Sequence, residues 1–180
     1  MDDVLTFKDL KRFIKRDYEK INGSITLKGF LFSLFFEIGF KFIFWLRLTR
    51  FFSLKGGFFK IPFFFCRLIY KHFSYKFGFD ISYRTLIGPG LSISHFGTIV
   101  VSVNSMGKDC WLRPGVVLGN TVTSGEIPTV GDGVEFGVGC KIIGKINIGD
   151  YAVIGANAVV THDVEPKTVV VGIPARVIKK

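Results

Sequence analysis

The sequence predicts a mostly β fold built from six-residue repeats, with a short α-helical segment in front of it. Two observations carry this reading. From residue 130 a large apolar residue returns at every sixth position, as Val130, Phe136, Ile142, Ile148, Ile154 and Val160, and glycine often follows it. Such a period fits neither the stripe of a helix nor the alternation of an ordinary strand, and glycines at fixed places mark tight corners. Before residue 79 the apolar residues recur at helical spacing instead, and the composition changes. Residues 1–78 hold 15 Lys/Arg against 6 Asp/Glu, and 19 of the 21 phenylalanines fall before Asp80. Residues 79–180 are close to neutral, with 9 basic and 8 acidic residues. Two segments of different character, 1–78 and 79–180, therefore meet within a chain of 180 residues. That length has room for one good core, or for a repeat domain with an appendage.

In chain order, Thr6-Phe-Lys-Asp9 has the spacing of a capping box, and Phe7, Leu10, Phe13 and Ile14 follow at helical intervals. Asn22-Gly23 stops this helix. A second helix is expected from about Leu27 to Phe52, interrupted by single charges at Glu37, Lys41, Arg47 and Arg50 and ended by Gly56-Gly57. Pro62 suits the first turn of a third helix, which runs to Phe77-Gly78.

These helices are more apolar than one buried face requires. The surplus can pack on itself, on the repeat domain or in an oligomer interface. The favoured reading is contact with a membrane surface, where Phe and Trp45 enter the lipid boundary and Lys/Arg meet headgroups. No nucleic acid partner is expected, because clusters such as Phe63-Phe64-Phe65 are too apolar for such a module. The longest uncharged run, Gly29 to Phe36, is too short to span a bilayer, and the acidic start has no signal-peptide apolar region. Cys66, Cys110 and Cys140, odd in number and without metal-type spacing, read as reduced thiols of a cytosolic protein. The expected location is cytoplasmic, peripheral at the inner face of the plasma membrane. No metal is expected.

The repeat extends upstream through Ile81, Ile87, Ile93 and Ile99, slips by one residue, and resumes at Met106, Leu112 and Leu118. The fifth position of the later hexads holds Val134, Cys140, Ile146, Ala152 and Ala158, all small or medium and apolar. Cys110 and Cys140 fall there and read as buried hydrophobes.

Over roughly residues 79–178 this pattern resembles the left-handed parallel β-helix of the hexapeptide acyltransferases. The resemblance implies three hexads per triangular coil and nearly five coils between Ile81 and Glu165. Coils touch only their neighbours, so the ends need caps, and the helical segment would supply one. It also implies a homotrimer with active sites between subunits.

Among the histidines, His72 and His162 read as structural or exposed. His95 falls at the third position of the hexad beginning Ile93, where a side chain faces outward. Asp80 precedes it by fifteen residues, three short of a full coil. With coils stacked about 4.8 Å apart, a carboxylate one layer away can reach the imidazole. This stretch looks like the active-site segment of the serine O-acetyltransferase branch, in which an Asp precedes a His by the same interval. The resemblance implies that His95 is the general base and Asp80 orients it. Acetyl-CoA is then the donor, held at coil corners. The matching positions are Gly119, Asn120, Val138, Gly139 and Ala156, with Arg176 and Lys179 of the closing Gly-Ile-Pro-Ala-Arg motif near the phosphates and Lys141 as a weaker candidate.

The chain departs from that branch where the acceptor is read. An Arg-His-Pro of the branch is Glu126-Ile127-Pro128 here, and an Asp before the catalytic His is Ser94. A short, greasy N-terminus on this β-helix is similar to the O-acetyltransferases of capsule and exopolysaccharide clusters. The leading expectation is therefore acetyl transfer to a sugar hydroxyl of a polysaccharide or its lipid-linked precursor, with Trp111 and Arg113 as acceptor contacts. The alternatives are serine O-acetylation and, in another class, a non-catalytic membrane-bound trimeric scaffold.

Overall fold

A computed structural model describes residues 3–121 and 125–179. Helix α1 (Phe7–Asn22) begins as expected: Thr6 Oγ1 accepts from the Asp9 N–H, and the Asp9 carboxylate accepts from the Thr6 N–H. The helix expected over 27–52 is two helices, α2 (Leu27–Phe36) and α3 (Ile38–Ser53), meeting at 94°. The break falls at Glu37, whose backbone is extended although no proline or glycine marks it. Packing decides it. Gly39 lies so close to the Ile93 carbonyl that a Cβ there would stand 2.0 Å from the oxygen, so α3 must set off along the coil in its own direction. A short 3₁₀ turn (Gly57–Phe59) leads into α4 (Lys60–Phe77), which has Pro62 in its first turn and a left-handed Gly78 at its end.

The rest is a parallel β-helix with three faces, the architecture the hexads lead one to expect. The first sheet stacks Phe79–Ile81, Ile99–Val101, Val117–Gly119, Lys141–Ile143 and Val159–Val160. The second has four strands, and the third has six, ending in the antiparallel hairpin of Val169–Gly172 and Ala175–Lys179. Inside, three aliphatic columns rise through the coils: Ile81, Val101, Leu118, Ile142, Val160; Ile87, Met106, Val130, Ile148; and Ile93, Leu112, Phe136, Ile154, Val170. Cys110 and Cys140 are buried at the expected fifth positions, and burial pushes both thiols up to about 12.

One hexad leader is misassigned by the period alone. Ile99 stacks on Phe79, and Val101 takes the leading place above Ile81. From Ile93 to Val101 the chain uses eight residues, where the next coil uses six from Leu112 to Leu118. The step is thus a two-residue expansion of the corner carrying His95 and Phe96, followed by a short corner to Met106. A second expansion separates Leu118 from Val130 and contains residues 122–124, outside those described.

Helices and coils share one core. Phe42, Ile43 and Leu46 of α3 and Tyr70 and Phe77 of α4 pack continuously with Phe79, Ile81 and the aliphatic columns, closing the end of the β-helix. The Tyr70 hydroxyl donates to the Ile81 carbonyl, and burial raises its pKa to about 12. An ion pair with almost no exposure locks the arrangement. Asp17 accepts from Arg47 Nε at 2.9 Å and Nη2 at 3.1 Å, and from the backbone N–H groups of Gly90 and Leu91 at 2.7 and 2.9 Å. Arg47 also donates to the carbonyls of Ile87 and Gly88, at 2.6 Å each. One carboxylate and one guanidinium thereby tie α1, α3 and a coil corner together, and each satisfies the other's charge.

Candidate active site

The expanded corner presents His95. Its φ is +62°, a left-handed conformation that few residues other than glycine adopt, and the residue is exposed. The turn is fixed from below by two backbone bonds, Gly97 N–H to the Phe77 carbonyl (3.1 Å) and Ile99 N–H to the Gly78 carbonyl (3.0 Å). The corner that carries His95 is thus bonded to the junction between α4 and the first strand, where Gly78 precedes Asp80 by two residues.

A cavity of about 400 Å³ opens beside it. The coil contributes Ser92–His95 and Trp111; the helices contribute Lys20, Ile21, and the break between α2 and α3 at Phe36, Glu37 and Ile38. Trp111 Nε1 donates to Ser94 Oγ at 2.6 Å, which fixes the indole as one wall. Glu37 accepts through Oε2 from Asn22 Nδ2 at 2.9 Å, so one carboxylate oxygen is already held. A volume of this size admits an amino acid or a single sugar ring.

Asp80 and His95 occupy adjacent layers as expected, yet they do not meet. Among the described residues, neither side chain takes part in a hydrogen bond or ion pair. Both are exposed, so water satisfies them and nothing in the single chain forces the contact. Trp111 lines the cavity, whereas Arg113 is occupied elsewhere. Its guanidinium lies 4.7 Å from the Trp111 ring centroid and 3.6 Å from the Glu135 carboxylate.

The residues assigned to acetyl-CoA divide by location. Val138, Gly139 and Ala156 stand in one column of corners, bonded layer to layer through Gly115 N–H to Thr98 O, Gly139 N–H to Pro114 O, and Asn157 N–H to Val138 O. This is the same edge of the triangle that bears His95. Val138 is 50% exposed, so the column offers an accessible backbone ledge. Gly119 and Asn120 lie at another corner, where Gly144 N–H donates to the Gly119 carbonyl, at the start of the long expansion. Lys141 is not free to meet a phosphate, because its ammonium donates to the carbonyls of Gly115 and Gly139. Arg176 and Lys179 are exposed on the terminal hairpin.

Sequence reasoning missed the helical wall of this cavity. Glu37 carried one signal: it is the only acidic residue between Glu19 and Asp80. Lys20 and the close approach at Gly39 carried none, because they reach the site only through the fold.

No family model matches the chain. It is similar to curated serine acetyltransferases: 42% identical over 104 residues to that of Mycobacterium tuberculosis, 40% over 110 residues to that of Haemophilus influenzae, and 38% over 110 residues to that of Escherichia coli. These matches cover 56–59% of this chain but only 45%, 41% and 40% of those proteins, so the chain spans less than half the length of the curated relatives. Among solved structures, soybean serine acetyltransferase has a TM-score of 0.77 at 28% identity, covering 94% of this chain and 69% of that one. A Neisseria gonorrhoeae serine acetyltransferase in complex with serine has a TM-score of 0.73 at 28% identity, covering 94% and 69%. A serine acetyltransferase in complex with CoA has a TM-score of 0.74 at 27% identity, covering 96% and 71%. The likeness thus includes the helices as well as the β-helix.

Proposed function

We propose that the chain is an acetyl-CoA-dependent O-acetyltransferase whose preferred acceptor is the hydroxyl of serine or a close amino-acid analogue. The observation that carries this is a histidine on an expanded coil corner, at the mouth of a small cavity walled by helices, in a chain so similar to serine acetyltransferases. The chemistry suits that arrangement. His95 takes the proton of the acceptor hydroxyl as its oxygen attacks the thioester carbon; the C–O bond forms, the C–S bond breaks, and the leaving CoA thiolate recovers the proton. A hydroxyl is a poor nucleophile at neutral pH, and a positioned base contributes about 10²–10⁴-fold. Asp80 orients the imidazole once substrate or a neighbouring subunit excludes water from the corner. The ledge at Val138, Gly139 and Ala156 holds the CoA arm, and Arg176 and Lys179 face its phosphates. Glu37 supplies a carboxylate for the acceptor's ammonium.

A second acceptor class, a sugar hydroxyl, is favoured by one specific observation. Ser94 and Glu126-Ile127-Pro128 replace the charged groups with which the serine O-acetyltransferase branch reads serine, and Trp111 offers an aromatic wall of the kind sugars use. CoA release measured with serine as sole acceptor decides between them. Turnover with serine that disappears in His95→Ala, while circular dichroism stays unchanged, supports the first reading. Turnover confined to glycan acceptors replaces serine by the second, and undiminished activity in His95→Ala overturns the mechanism.

A further inference from the structure

We infer that α4 is a docking face for an anionic lipid bilayer. Its outward side exposes Ile61, Phe64, Phe65, Leu68 and Tyr75, each 53–77% accessible, with Phe58 at 83% just before it. The spacing of three, four and seven residues makes this one stripe along the helix. Exposed Leu31, Phe32, Phe35 and Phe36 of α2 extend the apolar surface. The two helices are linked by Lys41, which donates to the Phe35 carbonyl and lies 5.7 Å from the ring of Phe73 on α4.

Charge selects the occupant. Residues 38–79 contain eight Lys/Arg and no Asp or Glu. Lys60, Arg67 and Lys76 are exposed on α4, beside the apolar stripe. At its foot a cavity of about 440 Å³ is lined by Arg50, Arg67 and Arg84 with Ser53 and Tyr83. Arg50 is paired with Asp3, while among the described residues Arg67 and Arg84 have no carboxylate partner. A second copy of this chain would bring the same cations against themselves, and α4 itself carries no Asp or Glu to answer them. A bilayer of anionic lipids answers both features, placing acyl chains against the rings and phosphates against the arginines. No single described helix is long and apolar enough to cross a membrane, although the bent pair α2 and α3 passes that test together by length and composition; the contact inferred for α4 is with the bilayer surface.

Co-sedimentation of the full chain with phosphatidylcholine vesicles, with and without phosphatidylglycerol, tests this directly and needs no acetyl transfer. Binding is expected only with the anionic lipid and should weaken with salt. It should fall at least tenfold in Phe64→Ser/Phe65→Ser and in Lys60→Glu/Arg67→Glu, all exposed positions, with acetylation of a soluble acceptor unchanged. Equal binding to both vesicle types, or none to either, overturns the inference. So does a drop in solution mass in the Phe64→Ser/Phe65→Ser variant without vesicle binding, which would make the face an interface between copies.

Discussion

Replacing Asp17 with alanine is the most searching perturbation of the architecture. The carboxylate accepts four hydrogen bonds, two from Arg47 and two from backbone amides of the coil corner. Without it, Arg47 keeps only the two carbonyls of Ile87 and Gly88 while remaining 4% exposed, and two amides lose their acceptor. A buried charge stripped of its partner costs about 3–5 kcal/mol, which is a large share of the roughly 5–15 kcal/mol that holds a domain folded. Urea unfolding followed by far-UV circular dichroism reads the loss. Protein concentration must be held constant, since association would shift the midpoint. The double variant Asp17→Leu/Arg47→Met removes the stranded charge and should recover about 2 kcal/mol, because an apolar pair of similar volume has no charge to desolvate. A loss under about 1 kcal/mol in Asp17→Ala would refute the assignment of this pair as the lock between helices and coils.

Other consequences are equally direct. Gly39→Ala places a methyl against the Ile93 carbonyl, so α3 must lift from the coil; a loss of about 1–3 kcal/mol in the same unfolding assay is expected, with a raised KM for the acceptor. Glu37→Gln keeps an acceptor for Asn22 but removes the charge. If the acceptor carries an ammonium, its KM should rise about tenfold, the worth of one charge-assisted hydrogen bond, with the KM for acetyl-CoA unchanged; an unaltered KM removes Glu37 from acceptor binding. Cys110 and Cys140 should react with an aromatic disulfide reagent only after unfolding, because burial keeps both protonated and inaccessible. Prompt reaction of either in the native chain would contradict its place in the coil interior.

What the sequence made legible was what repeats. Ile142, Ile148 and Ile154 announce their columns because each coil presents the same demand to its neighbours, and the fifth-position cysteines follow from the same rule. Ile99 misled because the period was carried through a corner that is two residues too long, and only pairing with Phe79 reveals the shift. The capping box at Thr6 and the stop at Gly78 are local and were readable. The break at Glu37 is not local: it comes from how closely Gly39 approaches the coil. Asp17 and Arg47 are thirty residues apart and carry no mutual signal, although they tie the helices to the coil. In the site, His95 and Asp80 were visible as a spaced pair, while the helical wall of the cavity beside His95 is assembled by tertiary contact alone.

The shared core has a bearing on inheritance. The shift in composition near residue 79 invites the view that a greasy attachment was fused to a self-sufficient repeat. Yet the first coil owes its inner packing to Phe42, Ile43, Leu46 and Tyr70, and a chain cut at Gly78 would open that packing to water. A recombinant that kept the repeat and borrowed other helices would need residues of like shape at those four places and a matching pair for Asp17 and Arg47. The portable unit is the whole chain from α1 onward, and its history should be traced as one piece.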